Sequence, residues 1–165
     1  MPNHKNRFLK LFSVALICVT STYATDISKT VVPTKHNKNL TIGQIAEIQP
    51  GLGTIMIEFG HRFYVAYYAA KAGNWELAKY QIHELVEAQE VVEATRPKYT
   101  EALKTFEHGA LADLQEAIKA KKWKLFDEKY TQTTNACNVC HKSTGHPYIQ
   151  YRLPKEAPKF LRMAL

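Results

Sequence analysis

From Leu52 to His141 the apolar residues recur at steps of three and four, and no stretch alternates with period two between turn signals. That periodicity confines the chain to helices. Leu52, Met56, Phe59, Phe63, Ala66 and Ala70 mark a first stripe, closed by "KAGN" at residues 71–74. Asn74 suits the N-cap of a second helix, with Ala78, Ile82, Leu85, Gln89 and Val92 on its buried face. "TRPKY" breaks the pattern, and Pro97 fits the first turn of a third helix carrying Leu103, Phe106, Ala110, Leu114 and Ala117 to about Ala120. A fourth runs from Trp123 through Phe126, Tyr130, Thr134 and Cys137 to His141. Long helices joined by short connections are expected to pack as an all-α, antiparallel up-down-up-down four-helix bundle.

The first residues read as an address. Lys5, Arg7 and Lys10 precede the short apolar run "LFSVALICV", and Thr22 and Ala24 are the small residues a cleavage site needs. The run is too short to span a bilayer, which takes about 20 residues. Residues 1–24 are therefore expected to be a signal peptide cleaved near Ala24, sending the chain to the periplasm of a bacterium. Residues 25–40 are polar and aperiodic and are read as a flexible lead-in, before "TIGQ" at 41–44 offers capping-box spacing. Cleavage removes Cys18, so the mature chain keeps only Cys137 and Cys140. It also leaves 19 of 22 bases against 15 acids, a net charge of +4 in place of +7. The densest basic run, "KAKKWK" at 119–124, reads as a solvated helix end, and no clustered face or reading motif for nucleic acid is present.

The remaining cysteines lie in "CNVCH", Cys137 to His141. Structural zinc wants four Cys or His ligands, commonly as two pairs, and no second pair exists. A redox dithiol works best at a helix N-terminus, where the dipole lowers a thiol pKa, whereas this pair sits near a helix C-terminus. A disulfide across three residues would restrict almost no chain entropy. Covalent haem uses every residue of the motif. The two thiols add to the porphyrin vinyl groups, and His141 is held beneath the iron as proximal ligand. The expected cofactor is one haem c, attached in the compartment to which the signal peptide leads.

In an antiparallel bundle the end of helix four, with His141, meets the start of helix one, with Met56. Met56 is thus the candidate distal ligand, giving His/Met iron of raised reduction potential. Plain core packing, for which methionine is well suited, stays open as the alternative. Gly60 would leave room for a flat macrocycle. His61 lies about 140° from Met56 around the helix and reads as a rim residue. His83 and His108 read as solvent-facing, Arg62 as a candidate propionate partner, and His146 as a packing or propionate contact. No Ser/His/Asp set, catalytic carboxylate pair or phosphate loop accompanies them, so an enzyme is not expected. A haem domain over residues 41–145 and a Pro-rich C-terminal extension over 146–165, without a fifth helix, complete the organisation.

This combination resembles the class II c-type cytochromes, the cytochrome c-prime type of bundle. "MIEFGHRFYVAYYAAKAGNWELAKYQIHELVE" with "CNVCHKSTGH" is closer still to a group of uncharacterised exported bacterial monohaem cytochromes, over residues 41–154. The resemblance implies thioether bonds at Cys137 and Cys140, proximal ligation by His141, and Met56 at a position where relatives carry either methionine or an apolar residue. The first gives low-spin electron carriers, the second open gas-binding sites. It also implies that a homodimer through helices one and two is an option. The chain departs from the c-prime type by inserting "KSTGHPY" where a basic residue soon follows the motif. The expected function is single-electron transfer between periplasmic or membrane-bound redox proteins through transient docking. The alternative is a five-coordinate haem that binds NO or CO.

Overall fold

The computed structural model describes residues 26–33, 35 and 39–164, and its secondary structure is mostly helical. The expected signal peptide and Cys18 lie outside the described residues. Among those described, no helix is long and apolar enough to cross a membrane. Contacts divide the chain into two compact units that meet in sequence between Glu47 and Ile48.

In the first unit a 3-10 turn at Ile27–Lys29 precedes a short antiparallel pair, β1 (Val31–Val32) and β2 (Leu40–Thr41), with Val31 opposite Thr41 and Val32 opposite Leu40. No strand was expected, because two-residue partners are too short to show alternation. Helix α1 (Ile42–Glu47) follows and opens with the expected capping box. The Thr41 amide donates to Gln44 Oε1 at 2.9 Å and the Gln44 amide to Thr41 Oγ1 at 3.1 Å.

The second unit holds α2 (Leu52–Lys71), α3 (Trp75–Thr95), α4 (Thr100–Phe106), α5 (Ala112–Ala120) and α6 (Trp123–Ser143). Asn74 caps α3 as expected, its side chain accepting from the Leu77 amide at 3.1 Å. All five residues of the expected α3 stripe are buried, including the polar Gln89. The third expected helix departs from one regular helix. A 3-10 turn at Pro97–Tyr99 starts it, and a π turn at Glu107–Leu111 separates α4 from α5. A π turn adds a residue to the helical repeat, so the inward position after Phe106 comes five residues later. Leu111 is therefore fully buried in place of the expected Ala110. The Ala110 carbonyl accepts from Thr133 Oγ1 of α6 at 3.0 Å, which puts Thr133 in the core and leaves the expected Thr134 half-buried.

Aromatic rings set the direction of α6 against α2. Phe63 stacks on Tyr130 with centroids 4.1 Å apart and planes at 8°, while Tyr67, one turn on in α2, reaches back to Trp123 at 5.4 Å. Rising numbers on one helix meet falling numbers on the other, so the two run antiparallel. Phe126, Leu85, Leu114 and Ile82 fill the space between the helices. Tyr130 is buried and donates to the Phe63 carbonyl at 3.2 Å. Burial holds its hydroxyl neutral, with a pKa raised above the ordinary 10.0, and burial likewise pushes Tyr67 up to about 12.

A tyrosine whose pKa rises on folding stabilises the fold fully below its unfolded value and loses that contribution as pH climbs to the folded value. Thermal stability is expected to be insensitive to these groups up to about pH 10 and to fall between pH 10 and 12. Replacing Tyr130 by Phe should flatten that loss, which a melting series against pH would register.

Candidate functional site

The end of α6 carries the site because of the way the helix stops. Gly145 has φ +88, a left-handed conformation that glycine adopts without strain. With it the His146 amide bonds the His141 carbonyl at 2.7 Å and the Gly145 amide bonds the Lys142 carbonyl at 3.3 Å. That pair of bonds is the Schellman closure of a helix C-terminus. The chain reverses at once and runs back along α6 as a strap without helical structure, as the extension was expected to lack.

Two contacts fix the strap to the motif. The Asn138 side chain grips the Tyr151 main chain at both ends, accepting from its amide at 2.7 Å and donating to its carbonyl at 3.2 Å. Two residues earlier, the Ile149 carbonyl lies 3.1 Å from His141 Nδ1. A peptide carbonyl can only accept, so Nδ1 is the donor, which in the neutral imidazole leaves the lone pair on Nε2. Further on, Tyr68 and Tyr64 of α2 donate to the Pro154 and Glu156 carbonyls, each at 2.7 Å.

Beneath the strap lies a cavity of about 490 Å³, a size that suits a large organic ligand. Its wall unites Cys137, Cys140 and His141 of α6 with Leu52, Met56 and Gly60 of α2. Phe59, Phe63, Leu103 and Phe106 make the remainder largely apolar. The four candidate residues proposed from sequence thus border one space. Gly60 is faced by the Tyr151 ring, where an added Cβ would meet ordinary contact at 3.7 Å. His61 is exposed and stacks on Phe160, with centroids 5.2 Å apart. His83 and His108 are exposed as expected, and His146 joins the cavity wall. Arg62 does not border the cavity. It forms an ion pair with Glu58 of its own helix at 2.7 Å and donates to Gln81 Oε1 at 3.3 Å, the second contact tying α2 to α3.

The chemistry of the donors narrows the occupant. Cys137 and Cys140 are unpaired, and burial, followed by the neighbouring Cys140, pushes the Cys137 thiol up to about 12. Burial raises Cys140 as well. Disulfide exchange needs a thiolate as the attacking group, and burial of both thiols opposes it. Among the described residues no group of three or more Cys, His, Asp or Glu could hold a metal ion. An imidazole with a free Nε2, two thiols one helical turn apart and a thioether, around an apolar cavity, fit a haem better than a bare ion.

Sequence reasoning missed three contributors. Gln89 is fully buried in the cavity wall, its amide nitrogen lying within 2.9 Å of Glu93, 3.1 Å of the Leu103 carbonyl and 3.2 Å of Glu107. Those acceptors fix the amide orientation and leave Oε1 without a partner, an orphan acceptor in the wall. A glutamine inside an otherwise apolar stripe was the available signal. The strap residues Ile149 and Tyr151 gave none, because a non-repetitive tail has no periodicity to read.

The chain matches no protein-family model, no curated protein and no solved structure.

In chain made without any attached group, both thiols should alkylate slowly at pH 7, Cys137 more slowly than Cys140. A denaturant should abolish the difference. Mass-resolved labelling over time measures both rates.

Proposed function

We propose that this chain is a periplasmic monohaem c-type cytochrome that carries single electrons between redox proteins. The observation that carries the proposal is the convergence of Cys137, Cys140 and His141 with Met56 on one apolar cavity, with His141 Nδ1 already committed to a carbonyl. In this reading α2, α3, the α4–α5 arm and α6 form the antiparallel four-helix bundle, and the signal peptide takes the chain to the compartment of haem attachment.

The residues present would hold haem c through thioethers at Cys137 and Cys140, with His141 Nε2 as proximal ligand and Met56 as distal ligand. When bound, haem supplies a reversible one-electron couple. The chain's own contribution is to exclude water with Phe59, Phe63 and Phe106 and to fix the imidazole tautomer through Ile149. A histidine and methionine set raises the reduction potential, and an apolar shell favours the less charged reduced state.

The surface beside the motif suits brief contacts. Ile57 and Ile149 border the cavity yet are exposed, and so is Val139 between the cysteines. A small apolar rim of this kind accords with weak, transient docking. Such an electron carrier needs no substrate site of its own.

The visible spectrum of the purified holoprotein tests the assignment of Met56. Low-spin iron with a weak thioether-to-ferric band near the red end is expected. Met56→Ala should convert it to high-spin iron that binds CO when reduced. A wild-type spectrum that is already high-spin, with ready CO binding, would replace the carrier by the NO/CO-binding alternative. An unchanged spectrum in Met56→Ala would make Met56 a wall residue only.

A further inference from the structure

The C-terminal strap does more than cover the cavity. It returns along α6 in antiparallel register, with Ile149 beside His141 and Tyr151 beside Asn138. The Ile149 carbonyl is a main-chain group, so its place depends on what holds the strap on either side. On one side the Ile149 amide donates to the His146 carbonyl at 3.0 Å, closing a turn onto the helix end. On the other, Asn138 holds both main-chain groups of Tyr151, while the Tyr151 hydroxyl meets that of Tyr130 at 3.0 Å. Among the described residues, Asn138 joins His141 as a side chain of the cysteine motif that bonds the strap main chain, and Tyr151 is the next residue but one after Ile149.

We propose that Asn138 is a positioning residue. By gripping Tyr151 it seats the Ile149 carbonyl on His141 Nδ1 and so sets how strongly the centre holds an electron. The proposal rests on the haem reading above and assigns a role to a residue that the motif itself leaves variable. A hydrogen bond from the distant nitrogen of a ligating imidazole to a carbonyl makes the imidazole more basic. A more basic ligand stabilises the ferric state and lowers the potential. Loosening of the strap by itself has the opposite sign, because water entering the apolar site also favours the more charged ferric state. The direction of the shift therefore separates positioning from mere packing.

The experiment is a spectroelectrochemical titration of the holoprotein and of Asn138→Ala and Asn138→Asp. At the poise where the wild type is half reduced, Asn138→Ala should be roughly tenfold in favour of the reduced form, a rise of about 59 mV for one electron. Asn138→Asp keeps the 2.7 Å acceptor for the Tyr151 amide and should stay at or below the wild-type potential. An Ala variant whose potential is unchanged or lower overturns the proposal. Proton NMR of the reduced wild type gives a second reading that needs no variant. The His141 Nδ1 proton should exchange slowly with solvent, and fast exchange would overturn the proposal as well. A wild-type protein that carries no covalent haem would remove the haem reading itself, whereas an unmoved potential in a haem-bearing protein removes only the role of Asn138.

Discussion

The stack of Phe63 on Tyr130 is the contact on which the second unit depends. Both rings are buried, they lie 4.1 Å apart and nearly parallel, and the Tyr130 hydroxyl returns to the Phe63 carbonyl. An aromatic pair of this kind contributes about 1 kcal/mol beyond the area it buries. Its larger effect is directional. It fixes α2 against α6 in antiparallel register, so the inward face of α2 from Phe63 back to its start lies toward the end of α6. The cavity is what remains where the large rings give way to Met56, Gly60 and the small side chains of the cysteine motif.

Polar groups enter this apolar construction only where a bond is ready for them. Thr133 meets a carbonyl within the π turn, the Tyr64 and Tyr68 hydroxyls of α2 reach carbonyls of the strap, and Asn138 closes a two-bond clasp. Among the described residues Gln89 Oε1 and Arg62 Nε have no hydrogen-bond partner; Arg62 Nε lies beside the Glu58 carboxylate, whereas Gln89 belongs to the cavity wall. A buried acceptor without a donor costs about 1–3 kcal/mol, and such a deficit is commonly found where a ligand or an ordered water completes the site.

Much of the helical layout was legible because burial on a helix leaves a period. The α3 stripe is buried residue for residue, and the α2 stripe from Phe59 to Ala70 agrees, although Val65 and Ala69 join it. The period failed where the backbone changed its own repeat. The π turn shifted the inward position to Leu111, and its carbonyl drew Thr133 inward ahead of Thr134. The candidate site was legible through the spacing of Cys137, Cys140 and His141 and through the antiparallel inference that reached Met56. Its second layer was not, since the Ile149 carbonyl is a main-chain group and belongs to no motif. Gly145, noted only as part of "KSTGH", proved to be the residue that turns the chain back onto the histidine.

The central claim is that Cys137 and Cys140 bind haem covalently, with the signal segment removed on export. The most direct test is the intact mass of the denatured protein purified from the periplasm of a host able to attach haem c. The account predicts a chain beginning near Thr25 that is heavier by one haem. The added mass and the colour should survive denaturation and vanish when both Cys137 and Cys140 are replaced by Ser. A wild-type chain with the mass of the polypeptide alone, colourless once denatured, would contradict it.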